Sequence, residues 1–577
     1  MSNVLSRLHS ASLVIPLALV LGACQQPAKP VDVNIAAIND FHGNLAATPF
    51  TYADATAPTG KVSLKAGGIN ALSGVVGELR NSDPQLLLIG AGDMIGGSPP
   101  MSSMWADEPT LEALGELGLK FSVVGNHELD LGKLELQRQI NGGCVSPRPD
   151  KACQFDNNYS GTRFPYMAAN LIDAQTGKPL LPAYRIEQAN GAKIAFVGAV
   201  LRDLPAYVSQ QSMDGLYTID EAEAINAQLP ELRKQGVDAV VAVIHQGGET
   251  AERFDQQDCS QLKGDIVDVA RRLDPQIKVV VTAHTHQGYL CRLGDKLITQ
   301  GSSFGRLLTH ITLTVDPVNH QLLDAKAHNI VVDPARYPPL AEIAALQADI
   351  EARSNAHLNK SVARIATREI TRTLNDAGES AMGDLIADAQ LHATRALGAD
   401  VALTNLGGIR TDLILEPGQQ HLTYGQVASV QPFNNTLNIL TLSGTQLKQL
   451  LEQQWQNNGF GFYPLQPSAS LTYRWDASKP QGQRILADSL KINGKPVLPE
   501  QHYRVTVNSF MAGGGDNFTV LNQASQRVDT GLNDLQALVD YLQARDHTGQ
   551  PAGADAAQQR IEKVGQALAD TTASNGP

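Results

Sequence analysis

Short apolar runs that end in polar side chains recur along the first 300 residues of the chain. Runs of four to seven mostly aliphatic residues, bounded by Gly or polar residues, indicate buried strands of an α/β sheet. The carboxyl ends of such strands meet at one edge of the sheet, so the residues that follow them are expected to form a site there. The runs are 34–38, 86–89, 121–124, 194–200, 239–244 and 278–283.

Five of the six runs are followed by carboxylates, imidazoles or an amide. A single His in such a position is more often a core or surface residue, but repetition at five strand ends makes that interpretation improbable. Carboxylate and imidazole together suit a borderline divalent ion. The residues concerned are Asp40, His42, Asp93, Asn126, His127, Asp130, His245, His284 and His286.

Helices are also predicted in the first half of the chain, from Gly67 to Leu79 and from Glu112 to Leu119.

The pattern changes in the second half of the chain. A helix is predicted over 340–359, and a further helix is predicted to open at Met382. The strand 400–405 then leads to a Gly pair and Arg410. Glycines let the backbone approach a ligand closely, and an Arg beside them is a fork for phosphate or carboxylate.

Two aromatic residues lie in polar loops of this second half. Phe433 is followed by two Asn residues, and Phe510 precedes a run of three Gly. A lone Phe is more often part of a core, but two rings in such loops are suited to sandwich a nucleobase.

Length and charge bound the class of protein. The chain has 577 residues, 42% of them hydrophobic and 18% charged, which predicts at least two domains. The formal net charge of −13 argues against a nucleic-acid polymer as partner. A single nucleotide held by a few local Arg side chains stays compatible with that charge.

The amino terminus has the pattern of an export signal. The apolar run from Ala11 to Leu21 is too short to span a bilayer and fits a secretory signal peptide. Cys24 follows two small residues and resembles the lipidation site of bacterial lipoproteins, although a plain signal peptide with a chance Cys is the alternative. We expect a signal peptide over 1–23, a tether over 24–32, and an exported protein anchored by lipid in the cell envelope.

Four further cysteines predict disulfides, because an even number in an exported protein favours pairing. Proximity in sequence favours Cys144 with Cys153 and Cys259 with Cys291, among three possible connectivities. The absence of a CxxC motif argues against a zinc–thiolate site.

The ordered motifs Asp40-Phe41-His42, Gly92-Asp93, Gly125-Asn126-His127-Glu128, His245 and His284-Thr285-His286 resemble those of the calcineurin-like metallophosphoesterases. The spelling around Asp40 and His127 resembles the 5′-nucleotidase / UDP-sugar hydrolase family, and the loops with Arg410, Phe433 and Phe510 resemble its substrate-binding domain. The resemblance implies an α/β fold: a four-layer αββα catalytic domain over 33–335, a linker helix over 336–360 and a smaller α/β domain over 361–570.

The resemblance also implies roles for individual residues. The expected cofactors are two divalent ions, of zinc, manganese, magnesium or cobalt type. Their implied ligands are Asp40, His42, Asp93 and His286 for the first ion, and Asp93, Asn126, His245 and His284 for the second. His127 is the implied catalytic group, oriented by Asp130. The implied substrate contacts are Asn405, Arg410, Phe433, Phe510 and Asp516.

The chain departs from the family pattern where further Arg residues are expected near the second helix. Gly378 and Asp384 stand there instead, and Arg368 and Arg372 are out of register. Cyclic nucleotides, dinucleotides and UDP-sugars therefore stay open as substrates beside nucleoside monophosphates.

The expected function is dinuclear-metal hydrolysis of a nucleotide by a monomer or weak dimer. The alternatives are a metallohydrolase of a non-nucleotide ester and a non-catalytic surface-binding lipoprotein. The intact ligand set argues against the second alternative.

Overall fold

The computed structural model describes residues 29–54, 57–455, 461–553 and 559–565. The predicted signal peptide and Cys24 lie outside the described residues. Within the described ranges, no helix is long and apolar enough to cross a membrane.

The first of two six-stranded sheets carries three of the strands that the apolar runs predict. The strand Val31–Ile38 pairs in parallel with Leu87–Gly90, and parallel pairing continues to the next two strands. Two long antiparallel strands complete the other side. The spatial order is Gln321–Val331, Leu307–Asp316, Val31–Ile38, Leu87–Gly90, Ser122–Val123 and Tyr166–Met167.

The second sheet carries the other three predicted strands. Its four inner strands are parallel, and an antiparallel strand closes each side. The spatial order is Gly288–Leu293, Lys296–Gly301, Val279–Thr282, Ala239–His245, Ala192–Val200 and Tyr184–Ala189.

The two sheets pack face to face and are covered by helices on their outer faces. The side chains of the first strand alternate between these two environments. Val33 and Ile35 lie in the core between the sheets, whereas Ala36 and Ile38 face the helices. The helices on the first sheet are Ile69–Ser82, Pro100–Ser103, Glu108–Glu116, Gly132–Asn141 and Ala341–Leu358. Those on the second are Glu221–Asn226, Leu229–Lys234 and Asp265–Arg272. The predicted four-layer αββα fold is confirmed.

Smaller elements complete this half of the chain. A hairpin joins Thr48–Ala53 to Lys61–Ala66, and a three-stranded sheet has the order Leu216–Thr218, Leu171–Asp173, Lys178–Pro179. Both favoured disulfides are present, Cys144–Cys153 and Cys259–Cys291.

The helix expected as a linker, Ala341–Leu358, packs against the first half of the chain. Ile343 and Ile350 are buried in the core beneath the first sheet, and the Trp105 Nε1–H donates to Ser354 Oγ at 2.9 Å. The same helix contacts the second half, because His357 lies 4.8 Å from the ring of Tyr424. The domain boundaries at 335 and 360 stay predictions.

The second half of the chain is a smaller α/β unit. Its five-stranded sheet has the order Gln466–Pro467, Val401–Thr404, His502–Asn508, Thr436–Ser443 and Gln526–Asn533. A four-stranded sheet has the order Lys495–Pro496, Lys491–Ile492, Leu471–Asp476 and Ile561–Val564. The helices are Ala381–Thr394, Tyr424–Val430, Gly444–Glu452, Ser509–Ala512 and Asp534–His547.

Candidate active site

Strand ends from both sheets converge on one buried cluster. Asp40 and His42 follow the strand Val31–Ile38, and Asp93 follows Leu87–Gly90. From the second sheet, His245 ends the strand Ala239–His245, and two His residues follow Val279–Thr282. The edge that the apolar runs predict is therefore shared by two sheets.

Three overlapping clusters of ligand-type side chains lie here, and the first, here called the Asp40 group, consists of Asp40, His42 and His286. A cluster of His42, Asp93 and His127 overlaps it. The atoms of the Asp40 group converge: His42 Nε2 lies 3.1 Å from His286 Nε2, and His286 Nε2 lies 3.5 Å from Asp40 Oδ1. His42 Nδ1 donates to the carbonyl of Gly96 at 2.7 Å, which leaves a lone pair on Nε2. Convergent lone pairs and a carboxylate are the donor set of a divalent cation.

The third cluster, the Asp93 group, consists of Asp93, His245 and His284. His245 Nε2 lies 3.2 Å from Asp93 Oδ2, and its Nδ1 donates to the Ala91 carbonyl at 2.9 Å. Asn126 Oδ1 lies 3.1 Å from His245 Nε2 and 3.0 Å from His284 Nδ1. Because Asp93 Oδ2 is also 3.6 Å from His42 Nε2, this carboxylate adjoins both groups. The residues present fit two divalent ions.

Several of these residues have left-handed backbones, which side-chain-bearing residues rarely adopt. Such strain is concentrated at functional sites, where the surrounding structure imposes it. The φ values are 48° at Asp40, 48° at His42, 53° at Asp93, 72° at His284 and 57° at His286.

Two glycines make room for the cluster. A Cβ at Gly125 would lie 2.1 Å from Asp93 Oδ1, and one at Gly92 would lie 2.5 Å from His245 Nδ1. Any side chain at either position would collide with a candidate ligand. This agrees with the small residues that frame Asp93 in the sequence.

Burial sets the charge state of the cluster. It lowers the pKa of His42 and His286, and it lowers the pKa of His284 to about 3. These imidazoles are therefore neutral at pH 7, the form that binds a metal. Burial acts to raise the pKa of Asp93, but the charges of His245 and His127 hold it well below its usual range. Asp93 is therefore ionised.

His127 faces the cleft beside this cluster, and its side chain is 14% exposed. Its Nδ1 donates to the Asp130 carboxylate at 3.0 Å, and its backbone N–H donates to Asp93 Oδ1 at 2.9 Å. Burial acts to lower the pKa of His127, but the carboxylates of Asp130 and Asp93 raise it above its usual value. The imidazole is thus held in one orientation, with Nε2 available to a ligand.

Two buried polar residues support the ligands, and neither was assigned a role from the sequence. The Glu128 carboxylate accepts from the backbone N–H of Asp93 at 2.9 Å, of Met94 at 2.7 Å and of Gly125 at 2.6 Å. Asn39 Nδ2 donates to Asp40 Oδ2 at 2.6 Å. Glu128 is the last residue of the motif Gly125-Asn126-His127-Glu128, and Asn39 directly precedes Asp40, which was the one signal that the sequence offered.

The predicted substrate residues lie on a cleft of about 2230 Å³ between the two halves of the chain. Phe433 stacks on His127, with ring centres 5.5 Å apart and planes at 16°. Arg410 Nη2 lies 3.4 Å from His42 Nε2. Asn405 Nδ2 donates to Asp516 Oδ2 at 2.6 Å, and Phe510 lines the same cleft. The structure brings all five together, while their roles stay predictions.

The departure from the family pattern has a structural explanation. Gly378 packs against Phe462, where a Cβ would lie 2.7 Å from the ring, and Asp384 lies 3.6 Å from the Arg560 guanidinium. Neither residue lines the cleft, but Arg372 does, and its Nη1 donates at 3.2 Å to the carbonyl of Ile409, next to Arg410. A second Arg is therefore available to a substrate despite the difference in register.

Comparison with known proteins identifies the class. The calcineurin-like phosphoesterase family matches residues 33–288, and the 5′-nucleotidase C-terminal domain family matches residues 356–523. The two matches together span most of the chain, and the fold agrees with them. The chain belongs to the 5′-nucleotidase family of metallophosphoesterases. This family assignment confirms the predicted class of enzyme, a metal-dependent phosphoester hydrolase.

Sequence identity to individual relatives is modest. The chain is 30% identical to endonuclease YhcR of Bacillus subtilis, covering 90% of this chain but 40% of that relative. It is 28% identical to cell wall protein Lmo0130 of Listeria monocytogenes, covering 93% of this chain and 70% of the relative. Its fold matches a 5′-nucleotidase precursor from Thermus thermophilus with a TM-score of 0.73 at 24% identity, covering 92% and 99% of the two chains. The chain thus spans less than half the length of YhcR.

Replacement of Glu128 tests whether it holds the ligands in place. In Glu128→Gln, an amide NH₂ faces backbone donors that now lack an acceptor, so we expect a loss of about 1.5–3 kcal/mol in stability. Metal affinity is expected to fall as well, because the Asp93 backbone loses its acceptor. Denaturant unfolding and metal analysis measure both effects. Glu116→Gln, in a surface ion pair with Arg163, is the control. Equal behaviour of the two variants would contradict the assignment.

Proposed function

We propose that this protein is a nucleotide phosphohydrolase of the cell envelope that works with two divalent ions. The observation that carries the proposal is the pair of ligand groups that adjoin through Asp93 and face Arg410 across the cleft. The Asp40 group would hold one ion and the Asp93 group, with Asn126, the other. Two such ions neutralise phosphoryl charge and position the ester for in-line displacement.

The remaining side chains would orient the substrate and move a proton. The guanidinium of Arg410 is suited to the phosphate or the ribose, and a second guanidinium, that of Arg372, lines the same cleft. His127 would stabilise the transition state, or deliver a proton from Nε2 to the leaving oxygen. Its contact with Asp130 fixes the tautomer that either role requires.

Recognition of a base is assigned to the second half of the chain. Phe433 and Phe510 offer aromatic faces in the cleft, and the Asn405–Asp516 pair offers polar contacts. Neither half is complete, because the ligands lie in the first and the aromatic and Arg contacts in the second. The substrate must therefore touch both.

The cell envelope is proposed from three observations. The amino terminus has the pattern of an exported lipoprotein, both disulfides favour an oxidising compartment, and one relative is named a cell wall protein. The proposed membrane contact is a lipid on Cys24.

A substrate panel tests the proposed activity. We expect the purified protein to hydrolyse at least one of a nucleoside monophosphate, a cyclic nucleotide, a dinucleotide and a UDP-sugar. Activity should disappear with a chelator and return with a divalent ion. Single-stranded DNA is included because one relative is named an endonuclease. Hydrolysis of non-nucleotide esters alone would favour the first alternative, and bound ions without hydrolysis of any ester would favour a binding lipoprotein.

Removal of the imidazole tests the role of His127. In His127→Ala we expect kcat to fall by about 10²–10⁴-fold, as for a lost acid–base group, with both ions retained. Asp130→Asn should lower kcat less, because the imidazole stays in place without its orienting carboxylate. Steady-state kinetics and metal analysis of each variant provide the measurements. Loss of an ion with unchanged kcat per occupied site would make His127 a ligand instead.

Substitution of the two rings tests base recognition. Stacking is worth about 1–3 kcal/mol per base, so Phe433→Ala and Phe510→Ala should each lower kcat/KM for a nucleotide by about 5- to 150-fold. The small ester p-nitrophenyl phosphate is the matched control, since it has no base to stack. Equal losses on both substrates would indicate a folding defect. Unchanged nucleotide hydrolysis would show that the rings are only part of the core.

A further inference from the structure

The segment Gly301–Arg306 borders the Asp40 group although no sequence motif includes it. It begins at the last residue of the strand Lys296–Gly301 in the second sheet and ends before the strand Leu307–Asp316 in the first, so it connects the two sheets beside the site. Phe304 is the aromatic residue at its centre.

The ring of Phe304 packs edge-on against both imidazoles of the Asp40 group. Its centre lies 5.8 Å from His42 and 5.5 Å from His286, with interplanar angles of 69° and 75°. These are favourable aromatic geometries. The two imidazoles are themselves 5.0 Å apart, so the three rings form a closed triangle. Movement of either imidazole away from the other is thereby limited by Phe304.

The backbone places the ring there at a conformational cost. Phe304 has a φ of +61°, a region that bulky residues rarely occupy. Its N–H donates to the carbonyl of Asp40 at 2.7 Å. Asn39 adds two more links, because Gly301 N–H donates to its Oδ1 at 2.9 Å and its Nδ2 donates to the Ser302 carbonyl at 2.5 Å. The strained segment is thus fastened to the turn that carries Asp40.

A cation also packs against the ring of Phe304. The Arg306 guanidinium lies 4.8 Å from the centre of Phe304 and 5.3 Å from that of Phe50. Its Nη2 donates to Ser303 Oγ at 2.6 Å and its Nε donates to the Ser303 carbonyl at 3.0 Å. Phe304 is therefore held by the two imidazoles of the Asp40 group and by the Arg306 guanidinium.

We propose that Phe304 is a positioning residue for the ion of the Asp40 group. Its ring holds His42 and His286 with their Nε2 atoms convergent before an ion arrives. The inference rests on the proposed function, since it presumes that both ligand groups bind ions. It predicts an asymmetry between the two ions: loss of the ring lowers the metal affinity of the Asp40 group and leaves that of the Asp93 group unchanged.

Titration of the metal-free protein with Co²⁺ tests the asymmetry, because the visible absorption of this ion reports its ligands. His42→Ala identifies which of two binding steps belongs to the Asp40 group. We expect Phe304→Ala to weaken that step by about 10- to 100-fold, as is typical for loss of an outer-shell partner. The other step should keep its affinity and spectrum. Phe304→Tyr, which retains the ring, should restore binding.

Two further variants separate the effect of losing the ring from the effects of backbone strain at position 304 and of a change around Arg306. Phe304→Gly also removes the ring but suits the positive φ, so it should weaken the same step as much as Phe304→Ala does. Phe50→Ala, which loses a ring on Arg306 that is not in contact with the imidazoles, should bind both ions normally. Equal weakening of both steps, unchanged affinity in Phe304→Ala, or wild-type affinity in Phe304→Gly would overturn the inference. A wild-type protein with fewer than two Co²⁺ sites would instead contradict the proposed dinuclear centre, and the selective role of Phe304 with it.

Discussion

The Asp93 carboxylate is the contact on which the arrangement of the site depends. Oδ2 lies near His42 from the first sheet and His245 from the second, and Oδ1 accepts the backbone N–H of His127. Its own N–H is held by Glu128, and its carbonyl accepts the N–H of His42 at 2.9 Å. A shift of this one residue would move ligands of both groups and the candidate catalytic imidazole together.

Such a cluster is costly to bury, and the fold limits how it can relax. Two carboxylates and four imidazoles lie close together, and Asp40, His42, Asp93 and His245 are buried, where unpaired charge is strongly disfavoured. Burial accordingly raises the pKa of Asp40 to about 7 and lowers those of three imidazoles. Left-handed backbones add strain. Parallel strands buried on both faces give the rigid frame that holds these groups in place, and bound cations would offset part of the cost.

The sequence predicts the parts of the site that depend on local pattern. The six apolar runs located all six strands, and the ligand-type residues after five of them located the converging edge, because burial of a strand and the polarity at its end are both local properties. Boundaries were less accurate. The helix predicted over Glu112–Leu119 spans Glu108–Glu116. It begins earlier because Pro109 favours the first turn of a helix, and it ends earlier because Gly118, at φ +83°, has a non-helical backbone.

Contacts between distant segments were not predictable in this way. Phe304 meets His42 across more than 260 positions, and Glu128, although part of a motif, acts through backbone atoms of another strand end. The helix Ala341–Leu358 shows the same limit. The sequence predicts a linker helix there, whereas the burial of Ile343 and Ile350 and the contact of Ser354 with Trp105 show that it packs on the first half.

The cleft geometry has a consequence for how a substrate enters. Arg410 Nη2 lies 3.4 Å from His42 Nε2, which leaves no room for a substrate atom on the line between the two nitrogens, since each hydrogen bond needs about 2.9 Å. Phe433 likewise covers His127. A substrate group that is to lie between Arg410 and His42, or between Phe433 and His127, would require the second half of the chain to move away from the first. The helix Ala341–Leu358 is buried against the first half, so the connection after Leu358, beside the His357–Tyr424 contact, is where that movement must be accommodated. Binding of a substrate between these residues would therefore be coupled to the relative position of the two halves, because Arg410 and Phe433, which are predicted to bind the substrate, are also the side chains that contact His42 and His127.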